Sequence, residues 1–208
     1  MFEDRGVATT VTTDILDAVA RIERGDAGCL TVNALRWTMQ TGDKYKPYRA
    51  RWAFEMPAAA RATLTRFVAG GGRLLGVHTA SICFDDWPGW RDVLGAWWQW
   101  GSSFHPPLGP VEAWPVTEPH PITQGVSGFV VDDEVYHGLD VAADAVPLLY
   151  GRAEDAGTVQ PLLWAREHGR GRSVYSALGH DADSMREPMH RRLLGQSIDW
   201  LLADVPPA

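Results

Sequence analysis

Cysteine is scarce in this chain: its 208 residues hold two, Cys29 and Cys83, and no CxxC pair. Neither has the spacing of a thiolate metal site or a dithiol redox centre, and a reducing cytoplasm is the expected compartment. Clustered positive charge is missing as well. The 19 Lys and Arg residues are scattered among 26 Asp and Glu, for a net charge of −7. Nucleic acid and anionic membrane surfaces call for a basic face, so neither is expected as a partner. No apolar run approaches the roughly 20 residues that span a bilayer. The opening stretch MFEDRGVATTVTTD lacks the basic and apolar regions of a signal peptide.

What is present suits a single domain over residues 1–208: hydrophobic residues make up 45% and charged residues 22%, enough for a real core. Tryptophan is unusually abundant. Six of the ten (Trp87, Trp90, Trp97, Trp98, Trp100 and Trp114) fall in one short stretch. Because tryptophan buries a large area but rarely all of it, the stretch reads as a satellite core, as an aromatic platform for a sugar, or as a subunit contact in a homo-oligomer.

Strand and helix signals alternate through the first half. VATTVTT (Val7 to Thr13) is β-branched, and DILDAVARIERG follows with Asp14 as N-cap and Gly25 as stop. AGCLTVNA (Ala27 to Ala34) reads as a strand buried on both faces, and residues 36–55 as a long polar and aromatic loop. A helix with Pro57 in its first turn then leads through glycines into the buried strand RLLGVHT. The second half reads as shorter strands and turns, closed by the amphipathic helix EPMHRRLLGQSIDWLLA. The pattern predicts a three-layer, flavodoxin-like α/β domain with a mostly parallel sheet. The beginning is odd. FEDRG resembles the last turn of a helix, whereas doubly wound domains open with a strand and a helix before that point. The expectation is therefore a start lacking its first strand and most of its first helix, with the natural product beginning upstream of Met1; a frayed terminal turn would look the same.

In open α/β sheets, ligands bind beyond the carboxyl ends of the strands. His78 stands at such an end, where hydrolases of related architecture carry their nucleophile elbow. A lone histidine beside a core is more often structural, but this position favours function. SALGHD places His180 and Asp181 at the end of a later strand, VDDEVYHG supplies Glu134, Tyr136 and His137, and SSFHPP supplies His105. The central polar groups are expected to be His78, Glu134 and His180. His105, Tyr136, His137 and Asp181 should surround them, and Trp87 and Trp98 should stack on a sugar ring. Such a set suits a divalent metal, zinc among them, or a general acid–base system. Sequence spacing does not separate the two.

Together GGRLLGVHTA, FHPP, EPHPITQGV, DDEVYH, GRGRSVYSALGHD and RRLLGQSIDWLL resemble the ThuA-like family of the class I glutamine amidotransferase-like superfamily. The resemblance covers Val7 to the C-terminus and implies a carbohydrate role connected with trehalose, other disaccharides or keto-sugars. It also implies a difference: where amidotransferases carry a nucleophilic cysteine, this chain has His78, and Cys83 lies five residues further on. Glutaminase chemistry needs a thiolate on the elbow, so none is expected. His180 matches the superfamily's later catalytic-type histidine. The alternative is a non-catalytic sugar-binding or assembly domain with a degenerate site.

Overall fold

Local chemistry starts the first helix where the sequence predicts. In the computed structural model, which describes residues 1–154 and 157–203, the Asp14 carboxylate accepts from the backbone N–H groups of Leu16 and Asp17 at 2.9 and 3.4 Å. This caps helix α1 (Ile15–Glu23), which buries Val19 and Ile22. Strand β1 (Cys29–Val32) follows, then the short helix α2 (Arg49–Trp52), helix α3 (Ala58–Ala69) and strand β2 (Arg73–Val77). Next come helix α4 (Trp90–Leu94) and strands β3 (Ala96–Trp97), β4 (Gly109–Pro115), β5 (Phe129–Asp133), β6 (Asp140–Val141), β7 (Val146–Ala153), β8 (Gln160–His168) and β9 (Gly171–Ser176), before helix α5 (Pro188–Leu202). Helix α5 packs on β2 and β9 and buries Leu193, Leu194, Ile198 and Leu201.

Seven strands form the main sheet in the order β1-β2-β9-β8-β7-β4-β5, and β3 pairs with β6 apart from it. Only β1–β2 and β2–β9 are parallel; the other four pairings are antiparallel. The sheet is therefore mixed, and the expected mostly parallel, flavodoxin-like arrangement is corrected. Parallel neighbours require long crossovers, whereas close connections such as the turn between His168 and Gly171 turn the chain straight back on itself. Among the described residues from β4 to β9 no α-helix intervenes, and that half of the sheet is antiparallel. Four successive reversals from β9 to β5 have a useful result. β2, β9 and β5 all run in the same direction and end at the same edge of the sheet.

Two further expectations change. Val7 to Thr13 forms no strand, and Val11 is 89% exposed. A β-branched run becomes a strand only where a partner accepts its backbone and a core its side chains. β1 lies at the sheet's edge and is only partly buried, which is why it is not the doubly covered strand predicted. The terminal turn is present as a 3-10 turn, Glu3–Arg5, with Gly6 left-handed at φ 70°. The long loop is anchored to the elbow region: Arg36 O accepts from Phe84 N at 2.8 Å, and Thr38 donates from its backbone N and its hydroxyl to Asp85, both at 2.7 Å.

Candidate functional site

The buried strand β2 delivers His78 at its end, in a left-handed conformation with φ 48°. For a residue other than glycine this costs on the order of 1–3 kcal/mol, so the surroundings must enforce it. They do so at several atoms. Tyr175 Oη donates to the His78 carbonyl at 2.7 Å, and Ser81 Oγ in turn donates to Tyr175 at 2.8 Å. His78 Nδ1 lies 2.8 Å from the Ala177 carbonyl. A carbonyl only accepts, so Nδ1 carries the proton and Nε2 presents its lone pair. That lone pair accepts from Tyr136 Oη at 2.9 Å. Burial pushes the His78 imidazole below its ordinary pKa, outweighing the Ala177 carbonyl and the nearby carboxylates, which favour the cation. Burial also pushes the Tyr136 phenol well above its usual range, so it remains a proton donor.

Asp133 closes the site from the other side. This buried carboxylate accepts from Gly179 N and Glu134 N, each at 2.7 Å, and from Ser184 Oγ. It thus ties the end of β5 to the turn after β9. Gly179 is needed in that turn: at φ 121°, a Cβ there would lie 2.7 Å from Val77 Cγ1, directly over the elbow.

Between these anchors the predicted central residues meet. Glu134 Oε2 lies 3.5 Å from His78 Nε2 and 3.4 Å from His180 Nδ1, and Glu134 Oε1 lies 3.4 Å from His105 Nδ1. The rings of His78 and His180 stand perpendicular, with centroids 5.4 Å apart. His78, Glu134 and His180 each offer a ligand atom within 4.8 Å of the others, so they could hold a metal ion, and the same groups could move protons.

The cluster faces a cavity of about 500 Å³ whose walls include Trp37, Tyr45, Trp98 and Trp100, with His105 and Tyr136 beside the polar centre. Trp37 and Trp100 stack at 6.1 Å, with Tyr45 edge-on to both. Three predicted residues do not line this cavity. Trp87 packs into the core against Phe84 and Trp90. His137 stacks on Phe104 at 4.7 Å and bridges to its backbone, fixing the loop that carries His105. Asp181 uses its carboxylate to cap Asp183 N and Ser184 N, both at 2.9 Å. The tryptophan-rich stretch therefore divides: Trp87 and Trp90 are core, while Trp98 and Trp100 are cavity wall. Sequence reading passed over Trp37, Tyr45 and Asp133. The aromatics recurring through the polar loop RWTMQTGDKYKPY were the available signal for the first two.

Cys83 is fully buried, donates to the Ala34 carbonyl at 3.0 Å, and has its thiol pushed up to about 12 by burial. It is not on the elbow and is not a ready thiolate.

The ThuA family model, described as trehalose utilisation, matches residues 51–201. Among solved structures, a ThuA-like protein from Bacteroides uniformis ATCC 8492 superposes with a TM-score of 0.70 at 17% identity, covering 98% of this chain and 80% of that one. A ThuA-like protein from Parabacteroides merdae ATCC 43184 gives 0.70 at 14% identity, with 97% and 80% covered. A cytoplasmic protein from Salmonella typhimurium gives 0.58 at 15% identity, with 96% and 83% covered. At these identities the likeness is one of fold. No curated protein matches the chain. Among the described residues no helix is long and apolar enough to cross a membrane.

Proposed function

The chain belongs to the ThuA, or trehalose utilisation, family, and from that premise we propose that it is a carbohydrate-processing enzyme acting on disaccharides or keto-sugars through histidine–glutamate acid–base chemistry. The observation that carries this reading is the meeting of His78, Glu134 and His180 in one aromatic-walled cavity. Pyranose rings present apolar faces that suit tryptophan, and hydroxyl edges that suit carboxylate and imidazole. Trp98 and Trp100 supply the first, and Glu134, His105 and His180 the second. In this reading Glu134 takes a proton from a sugar hydroxyl or C–H, and a histidine returns one to the departing or neighbouring oxygen. Tyr136 holds His78 in its neutral tautomer.

Glutamine is not a substrate in this reading, because the elbow carries an imidazole and the nearby thiol is buried and protonated. A non-catalytic sugar-binding or assembly domain is the second reading. What favours it is that both ring nitrogens of His78 are already engaged, by Ala177 and by Tyr136.

The test is a thermal-shift screen of disaccharides and keto-sugars followed by product analysis. The leading reading expects a stabilising sugar to be consumed by the wild type and left intact by Glu134→Gln. A sugar that is bound tightly by both and consumed by neither would establish the second reading instead.

A further inference from the structure

We propose that His78 Nε2, the Glu134 carboxylate and His180 Nδ1 bind one divalent transition-metal ion of the zinc class, with its remaining coordination position open to the cavity. This goes beyond the sugar reading and revises one part of it: with the ion bound, Glu134 is a ligand and no longer the free base.

The first argument is distance. Ring N–H donors hydrogen-bond to oxygen at about 2.7–3.2 Å. The contacts from Glu134 to His180 and His105 are each 3.4 Å, too long for that role, and His78 Nε2, 3.5 Å away, has no proton to give. They match something else. Zinc holds nitrogen and oxygen ligands at about 2.0–2.2 Å, so the edges of its tetrahedron are roughly 3.3–3.5 Å long. The Glu134–His78 and Glu134–His180 separations suit two ligands of one ion; His105 stands at the same distance, but its Nδ1 donates to the Pro106 carbonyl at 2.9 Å and so offers no lone pair.

Protonation is the second argument. A histidine ligand must offer a lone pair, and a second contact on its other nitrogen fixes which one. His78 has that arrangement, with Nδ1 donating to the Ala177 carbonyl and Nε2 facing Glu134. Nε2 now accepts from Tyr136; a bound ion would take the lone pair and free the phenol proton to point into the open position.

Preorganisation is the third. The ligands come from just beyond the ends of β2, β5 and β9, and Asp133 binds the last two together through Glu134 N and Gly179 N. Glu134 and Asp133 place two carboxylates beside His78, an oxygen of the first 3.5 Å from its Nε2 and one of the second 3.8 Å from its Nδ1. Two imidazoles and one carboxylate are the ligand set of open, reactive zinc sites, and imidazole disfavours magnesium and calcium, which take oxygen.

The experiment is to strip the purified protein with a chelator, then titrate it with Co²⁺ by visible absorption and with Zn²⁺ by calorimetry. The expected result is one equivalent per chain, with the intense visible bands of a low-coordinate Co²⁺ site that Zn²⁺ displaces and Mg²⁺ does not. Glu134→Gln and His180→Ala should each weaken binding by at least the ~10–100-fold that loss of an outer-shell partner costs. His180 is partly exposed, so its variant should fold, as circular dichroism will check. His105→Ala, which removes a neighbour of Glu134 but no ligand, should weaken binding less than His180→Ala does. No stoichiometric binding, equal binding by wild type and both ligand variants, or a loss in His105→Ala as large as in His180→Ala would overturn the assignment.

Discussion

The hydroxyl of Tyr175 donates to the main-chain carbonyl of His78 at 2.7 Å, so a phenol on β9 holds the left-handed turn at the end of β2. Because β2 and β9 are parallel, with Val77 opposite Ser176, the two strands bring His78 and His180 to the same edge, and this bond holds the backbone from which the first imidazole projects. Tyr175→Phe leaves the buried carbonyl without its donor and strands Ser81 Oγ. It should cost about 1–3 kcal/mol in urea unfolding and should lower turnover more than sugar affinity. An unchanged midpoint would mean that the bond does not hold the turn.

Cys83 gives a second prediction. Its fully buried thiol, raised to about 12, should resist iodoacetamide in the folded protein at pH 8 and react once the chain is unfolded. Cys83→Ser, which can still donate to the Ala34 carbonyl, should leave sugar processing largely intact, and ammonia release from glutamine should be undetectable in both proteins. Rapid labelling of the native protein at Cys83, read by mass spectrometry, would refute this.

His190 on α5 sets an acid limit on stability. It is fully buried, with Nδ1 donating to the Ser184 carbonyl at 2.9 Å and Nε2 lying 3.1 Å from Ser176 Oγ. Burial holds its pKa below the ordinary value, against the opposing pull of Ser184, Asp133 and Glu187. The unfolded chain therefore binds this proton more readily than the folded one. The contribution to stability is complete above about pH 6.5, the unfolded value, and is lost as the pH falls below it. Burial lowers His78, His120 and His137 as well, and they act in the same sense. Chemical denaturation between pH 7.5 and 5 should show falling stability, with a shallower slope in His190→Asn. Stability that is flat across this range would contradict the prediction.

Trp100 should contribute to ligand binding rather than to the core. It stacks on Trp37 in the cavity wall and is only partly buried. Trp100→Ala should raise KM for a processed sugar by about fivefold, the equivalent of ~1 kcal/mol of aromatic contact, with kcat changed less and the melting temperature little affected. A collapse in melting temperature would place Trp100 among the core tryptophans instead.

Much of the site was legible in the sequence because it is written locally. LLGVH and VYSALGH each run from buried strand to polar residue, so the ends that carry His78 and His180 could be read one by one, while VDDEVYHG offered Glu134 as a polar candidate without its place at a strand end. Caps and stops such as Asp14 and Pro57 are equally local. Trp37 and Tyr45 were not legible as cavity wall, since only the anchoring of residues 36–38 to Phe84 and Asp85 folds that loop over the elbow. Val7 to Thr13 misled because strand propensity has force only where a partner strand exists. What the sequence by itself determined is which residues end strands and which of those ends are polar. That these ends meet was decided by the tertiary structure. Glu134 follows β5, at the far side of the sheet from β1; four antiparallel reversals return β5 to the direction of β2 and β9, and the curl of the sheet brings its end back to where Asp133 hydrogen-bonds to Gly179. Strand partners are chosen by long-range burial and backbone pairing, which no local spacing encodes.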